Sequence, residues 1–380
     1  MTETLAPHRG PKSGRGTWRI SWRGARLITE LELKQRVRST KWKWALAVFA
    51  GIVGLVTLLL SGAISAMFGY GDGSGSDSND VLFGVVVFFV LGLGLLVSPT
   101  LSATAINGDS KEGTLAPLQA TALSSIDIVI GKLVAAWVAS LAFLVVALPF
   151  IVFSYFLSEA PALAMLTTVV VLAIELLVVC AIGLGWSAVT SRTPASAVLT
   201  YVTVATLTVI SLILFGLSFP LITQPTTVRV YDATEYDDSK GYATKCAFRE
   251  ETYDQAHTER TWWLLAMNPF VIVADAAPSN DDLAQSDRDY YGAQTMLGSI
   301  KYAVREARLG PSEVENWCYM SENDDLLPEE VARLNELSGQ SPIWPYGLAF
   351  HTLLAGGALW LAVRRVDVPH GKLASGTRVA

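Results

Sequence analysis

Apolar runs of about twenty residues recur along the chain, each long enough to cross roughly 30 Å of hydrocarbon as a helix. Six can be bounded: Trp44–Phe68, Val81–Ala105, Leu133–Leu157, Ala164–Val189, Ala195–Ile222 and Trp344–Val363. The first and last are interrupted by glycine, which membrane helices tolerate better than soluble ones. Core helices of soluble proteins seldom exceed about 10–14 consecutive apolar residues, so the six runs argue against a soluble globule. The pattern predicts an all-α membrane protein with six transmembrane helices. Ahead of the first run, Ile20, Leu27, Ile28, Leu31 and Val37 recur at roughly helical spacing among Arg, Lys and Glu. This predicts a basic amphipathic helix at the membrane surface, with Trp22, Trp42 and Trp44 as interfacial anchors.

Polar sequence divides the rest. Residues 1–43 form a basic arm and the interfacial helix, and 44–222 hold spans one to five with a polar link at 108–132. Residues 223–343 form a large insert between spans five and six, and 344–380 the sixth span and a tail. Within the insert, "LLPEEVARLNELSG" reads as a short helix with Pro328 in its first turn and Gly339 as its stop. "TWWLLAMNPFVIVADAAP" (Thr261–Pro278) is more apolar than its surroundings but too short to span, and Pro269 removes a backbone donor in its middle. Two readings stand for it: a segment half-inserted at the outer leaflet, or the core of the insert's own domain.

Charge orients these elements. Only 16% of residues are charged, against about 25% in soluble domains, and the net charge of −6 conceals an asymmetry. Up to Lys43 there are eleven Lys/Arg against three Glu, which places the N-terminus in the cytoplasm. Six spans return the C-terminus to the same side, in agreement with Arg364-Arg365 and with Arg192 between spans four and five. The first loop, "GYGDGSGSDSND", has no Lys or Arg and fits the outside. The insert, also outside, carries ten Lys/Arg against twenty-two Asp/Glu, yet its many aromatics argue for a folded unit. No cleavable signal peptide is visible, because the first apolar run starts only near Trp44. The basic arm runs directly into that span, which suits a bilayer surface rather than nucleic acid. Cys246 and Cys318 both fall in the external insert, where an oxidising compartment is expected to pair them. Cys180 lies inside the fourth span and reads as a buried packing residue.

Candidate chemistry is sparse. The Gly-Lys pairs, Gly131-Lys132 and Gly371-Lys372, are each followed by Leu, and Ile126 stands where a phosphate loop needs its first Gly. His8, His257, His351 and His370 show no metal-ligand spacing, and no G-x-S-x-G elbow occurs. No catalytic or metal residue is assigned, and the chain does not read as an enzyme. Glu175, inside the fourth span, is either a substrate or proton contact or a carboxyl that locks helices together. His351 lies nearer an interface, and no second polar group is placed to help Glu175. Gly92, Gly94, Ser98 and Pro99, like Gly183 and Gly185, predict close helix packing, with a bend in the second span.

Between spans two and three, "INGDSKEGTLAPLQATALSSIDIVIGKLVAAW" resembles the corresponding segment of ABC-2-type transporter permeases, closest to those of actinobacteria. In that family an acidic, charged turn ending in Gly-Thr-Leu precedes a surface helix and a Gly-Lys. The matching residues here are Asp109, Lys111, Glu112, Gly113, Thr114, Leu115, Leu118, Gly131 and Lys132. Six spans, cytoplasmic termini, the amphipathic entry helix and "MNPF" (Met267–Phe270) agree. The resemblance implies the membrane subunit of a bacterial ABC exporter in the plasma membrane, paired with itself or a related permease. Separate ATPase subunits would hold ATP and Mg, with no cofactor on this chain, and would meet it at Asp109, Lys111, Glu112, Gly113, Thr114, Leu115 and Leu118. Gly113 permits a sharp turn and Thr114 can cap the next helix. The chain departs from the family in reading Asp-Ser-Lys-Glu where acid, base and acid often alternate, and in the length of its insert. The competing reading is a membrane-anchored sensor or binding protein that acts through the insert.

Overall fold

In the computed structural model, which describes residue 18 and residues 20–68, 75–113, 123–158, 161–237, 242–277, 295–318 and 327–367, the first helix starts where its sequence supplies a cap. The Ser21 hydroxyl accepts from the Gly24 amide, and α1 (Trp22–Arg38) follows. Only Ser39 separates it from α2 (Thr40–Phe68), the first span. The second span is α3 (Gly75–Ser102), then a short α4 (Asn107–Glu112), then the third and fourth spans, α5 (Ser125–Leu157) and α6 (Ala162–Val189). The fifth span is continuous through α7 (Thr193–Ala205), a π-helical turn at Thr206–Ile210, and α8 (Ser211–Ile222).

Among the described residues, six helices are long and apolar enough to cross a membrane, at the places the hydropathy predicts. The third starts two turns before its apolar run. Ser124 and Asp127 close a capping box there, so the last eight residues of the 108–132 link belong to α5. Lys132 hides this start, because its charge ends the apolar run in the sequence.

α3, α5 and α6 enclose the main core, with Leu91, Leu95, Phe143, Leu144, Leu172 and Leu176 among its buried side chains. Close contacts occur where small residues predict them: Gly94 meets Leu176, Gly183 meets Ser102 and Gly185 meets Ala358. α2 and the fifth span lie at the periphery, exposing Val48, Ile52, Leu55 and Leu59 on one and Val198, Val202, Val209 and Leu217 on the other.

The insert departs from the all-helical pattern in one place. β1 (Thr223–Asp237) leaves α8 without a loop and pairs antiparallel with β2 (Tyr242–Ala256). Val228 and Val230 are buried while Thr227 and Arg229 are exposed, the period-two alternation of a half-covered strand. "TWWLLAMNPFVIVADAAP" becomes α9 (Trp263–Ala266) and α10 (Pro269–Ala276). Ile272, Val273 and Ala274 are fully buried in the same core as α3, α5 and α6, while Leu265, Ala266 and Val271 form a smaller core with Val304 and Ile343 of the insert, so the segment serves as part of the insert's core and as part of the bundle's. After α11 (Met296–Leu309), β3 (Val314–Asn316) runs parallel to β1, giving the order β2-β1-β3. A disulfide joins Cys246 to Cys318, whose Cα atoms are 6.0 Å apart. α12 (Pro328–Gly339) is the helix expected from its Pro and Gly, and α13 (Trp344–Val366) is the sixth span, packed along α6.

Candidate functional site

The described part of the link between α3 and α5 that follows α3 is a capped helical turn. The Gly113 amide donates to the carbonyls of Asp109 and Ser110, and Gly113 stands at φ 73°, where any side chain would be strained. Thr114, Leu115 and Leu118 lie outside the described residues, and so do the cap and surface helix expected there.

A buried cation ties this turn to the rest. Lys132, only 1% exposed, projects from α5 and places Nζ 2.6 Å from Glu32 Oε1 on α1. The same Nζ lies 2.5 Å from Asp109 Oδ2 on α4. The preceding residue makes the approach possible. A Cβ on Gly131 would come within 2.7 Å of Ile28 and 2.8 Å of the Ala25 carbonyl, so only glycine lets α1 cross α5 this closely. Gly-Lys thus combines a close crossing with a charge delivered into it.

Neighbouring bonds complete the clamp. The Ser21 amide donates to Asp127 Oδ1 at 2.6 Å, and the Thr29 hydroxyl lies 3.1 Å from the Gly131 carbonyl it faces as donor. Arg36 donates to the carbonyls of Leu101 and Ala135 and stands 3.9 Å from Glu32. Burial holds the Arg36 guanidinium below its ordinary pKa, with Glu32 opposing, yet an arginine stays charged. Two cations therefore face two carboxylates. On the other side of the turn, the Asn107 side-chain amide donates to Ser196 Oγ at 2.8 Å. The Ser187 hydroxyl accepts from the amides of Ile106 and Asn107. The turn is thus attached to α1, α5, α6 and α7.

Asp109, expected among the partner contacts, pairs with Lys132 and keeps about a quarter of its side chain exposed. Lys111, Glu112 and Gly113 remain exposed. Glu32 and Asn107 went unnoticed in the sequence. The available signal was Lys132 itself, a cation continuous with an apolar run.

A second polar cluster lies in the other half of the bundle. Glu175 on α6 and His351 on α13 are each 1% exposed, with His351 Nδ1 at 2.8 and 3.1 Å from the two carboxyl oxygens. Nε2 lies 2.9 Å from the Met267 carbonyl. A carbonyl only accepts, so Nε2 carries a hydrogen, and the Nδ1–carboxyl contact holds one further proton on either partner. The pair is then neutral overall. This corrects the expectation that no polar group assists Glu175, and it supports the helix-joining role: α6, α13 and the turn into α10 meet here. Beside it, the Asn268 side chain caps Phe270 and donates to the Thr208 carbonyl at 2.7 Å, within the π-helical turn. Two turns on, Asp275 accepts from the amides of Ile343 and Trp344 at the start of α13 and from Arg305 on α11.

A family model described as ABC-2 family transporter protein matches residues 26–230, more than half of the chain. No curated protein matches it. The matched stretch holds Glu32, Asp109, Lys132 and Glu175, whereas Cys246, Asp275, Cys318 and His351 lie beyond it.

Proposed function

Because the chain belongs to the ABC-2 family of transporter proteins, a membrane transport component and not itself an enzyme, we propose that it is the permease subunit of an ATP-driven exporter. It works as a pair, with a second copy or a related permease, beside separate ATPase subunits that hold ATP and Mg. Its termini and the α4 turn face the cytoplasm. Lys111, Glu112 and Gly113, with Thr114, Leu115 and Leu118 beyond them, meet the ATPase. Asp109 acts behind that contact rather than in it.

The observation that carries this reading is the Lys132 clamp. A turn joined to its surroundings only by flexible backbone would absorb a push. Here the push passes through Asp109 and Lys132 to α5, through Glu32 to α1, and through Asn107 to α6 and α7. Rigid-body movement of helices is an ordinary output of such contacts. The two states must differ in their contacts for ATP to drive the change, and ion pairs that separate and re-form supply that difference.

The test is capture of the ATPase by tagged full-length chain, followed by transport in vesicles. Lys111→Glu with Glu112→Lys is expected to abolish both while leaving the melting temperature of the purified chain within a few degrees, since both side chains are exposed. Undiminished capture and transport by this variant would overturn the reading.

A further inference from the structure

We propose that the exposed side of α1 is a binding surface for acidic phospholipid headgroups, a property independent of the transporter reading. One side of α1 is committed to protein: Gly24, Ala25 and Ile28 are buried, and Glu32 and Arg36 are engaged in the Lys132 clamp. A second side carries Leu27 and Leu31, which are 64% and 53% exposed. At about 100° per residue these two fall roughly 40° apart, with Arg23, Lys34 and Arg38 within roughly 60° of the line between them.

Most cations of this stretch lack a counter-charge. Lys34 and Arg26 share Glu30. Arg23, Arg38, Lys41 and Lys43 are exposed and have no ion-pair partner among the described residues.

Position selects the occupant. Ser39 alone separates α1 from the first span, and Trp44, one turn into α2, is exposed as well. The stripe therefore lies where hydrocarbon begins, a level occupied by headgroups rather than by a soluble partner. A zwitterionic lipid would cover Leu27 and Leu31 but leave the cations uncompensated, whereas a net-negative phosphodiester completes them. Arg and Lys stems can lie along the apolar stripe with their charged ends at the phosphate. Several basic residues in one juxtamembrane stretch make the attraction cumulative. Since Glu32 on the same helix binds Lys132, a headgroup that fixes α1 also fixes one arm of the clamp.

The experiment compares melting temperatures of the detergent-purified full chain with phosphatidylglycerol, phosphatidylcholine or inorganic phosphate added, at low and high salt. Phosphatidylglycerol is expected to raise the midpoint by roughly 3–6 °C more than phosphatidylcholine. High salt should shrink the difference, and inorganic phosphate should not reproduce it. The variant Arg23→Gln/Arg38→Gln/Lys41→Gln/Lys43→Gln should lose at least half the gain, whereas Arg23→Lys/Arg38→Lys should keep it. Equal gains from the two lipids, a full gain in the four-fold Gln variant or an equal effect of free phosphate would overturn the proposal. So would a four-fold Gln variant that keeps the lipid gain but loses ATPase capture, which would assign the surface to protein. If that variant folds poorly, loss of the gain in the charge-preserving pair of lysine substitutions would also overturn it.

Discussion

At the α4 end of the bundle the ties are side-chain charges, drawn from helices up to 100 residues apart and meeting at Lys132. At the insert end one ion pair, Asp275 with Arg305, is joined by a disulfide, by the same carboxylate on the first amides of α13, and by an asparagine on the π-helical turn. The first kind of tie is strong only in one geometry, because buried charges need their partners. The second kind is covalent or bound to backbone that is already in place. The proposed drive from the α4 end would need reversible contacts there and a steadier frame opposite, which is how these ties are distributed.

The largest effect should come from Lys132→Met, which strands Glu32 and Asp109 without their cation. Breaking a buried pair from one side costs about 3–5 kcal/mol, so purified chain should melt far below the parent. Adding Glu32→Gln and Asp109→Asn removes the stranded charges and should restore most of the stability but not ATP-driven transport. Restored transport would show that the clamp serves folding alone. Next, Cys246→Ser with Cys318→Ser should cost about 2–4 kcal/mol, confined to the insert. Limited proteolysis should then cut the insert while the α1–α5 region keeps its protection, and equal loosening of both ends would erase the contrast. The smallest effect is expected for Asp275→Asn. It keeps an acceptor for the α13 amides but removes the charge opposite Arg305, for about 1–3 kcal/mol. A melt that also frees α1 in hydrogen exchange would show that the two ends are not separate.

What the sequence disclosed follows the range of the forces involved. Hydropathy reports burial in lipid residue by residue, so all six spans were legible, as was α12 from Pro328 and Gly339. Cys246 and Cys318 announced themselves by falling in one polar insert between two spans. Pairings between distant residues left no such trace. Glu175 and His351 stand 176 positions apart, and each read as a lone polar group until the fold brought them together. Asp109 read as a surface charge because nothing local marks Lys132 as its partner. The sheet escaped notice because β1 follows α8 without a turn, and α10 was ambiguous because its apolar residues are buried partly by neighbouring spans and partly by the insert's own α11.

That missing turn has a practical consequence. Ile222 ends a helix and Thr223 begins a strand, and the Ile222 carbonyl accepts from the His257 amide, just past the end of β2 at the base of the hairpin. Helix and ribbon are therefore joined directly, by the chain on one strand and by a hydrogen bond on the other. A fluorophore on an exposed ribbon position such as Lys245 would act as a pointer, swinging through an arc whenever the fifth span tilts or rolls. Motion inside the bilayer could thus be followed from water, without a probe in the membrane.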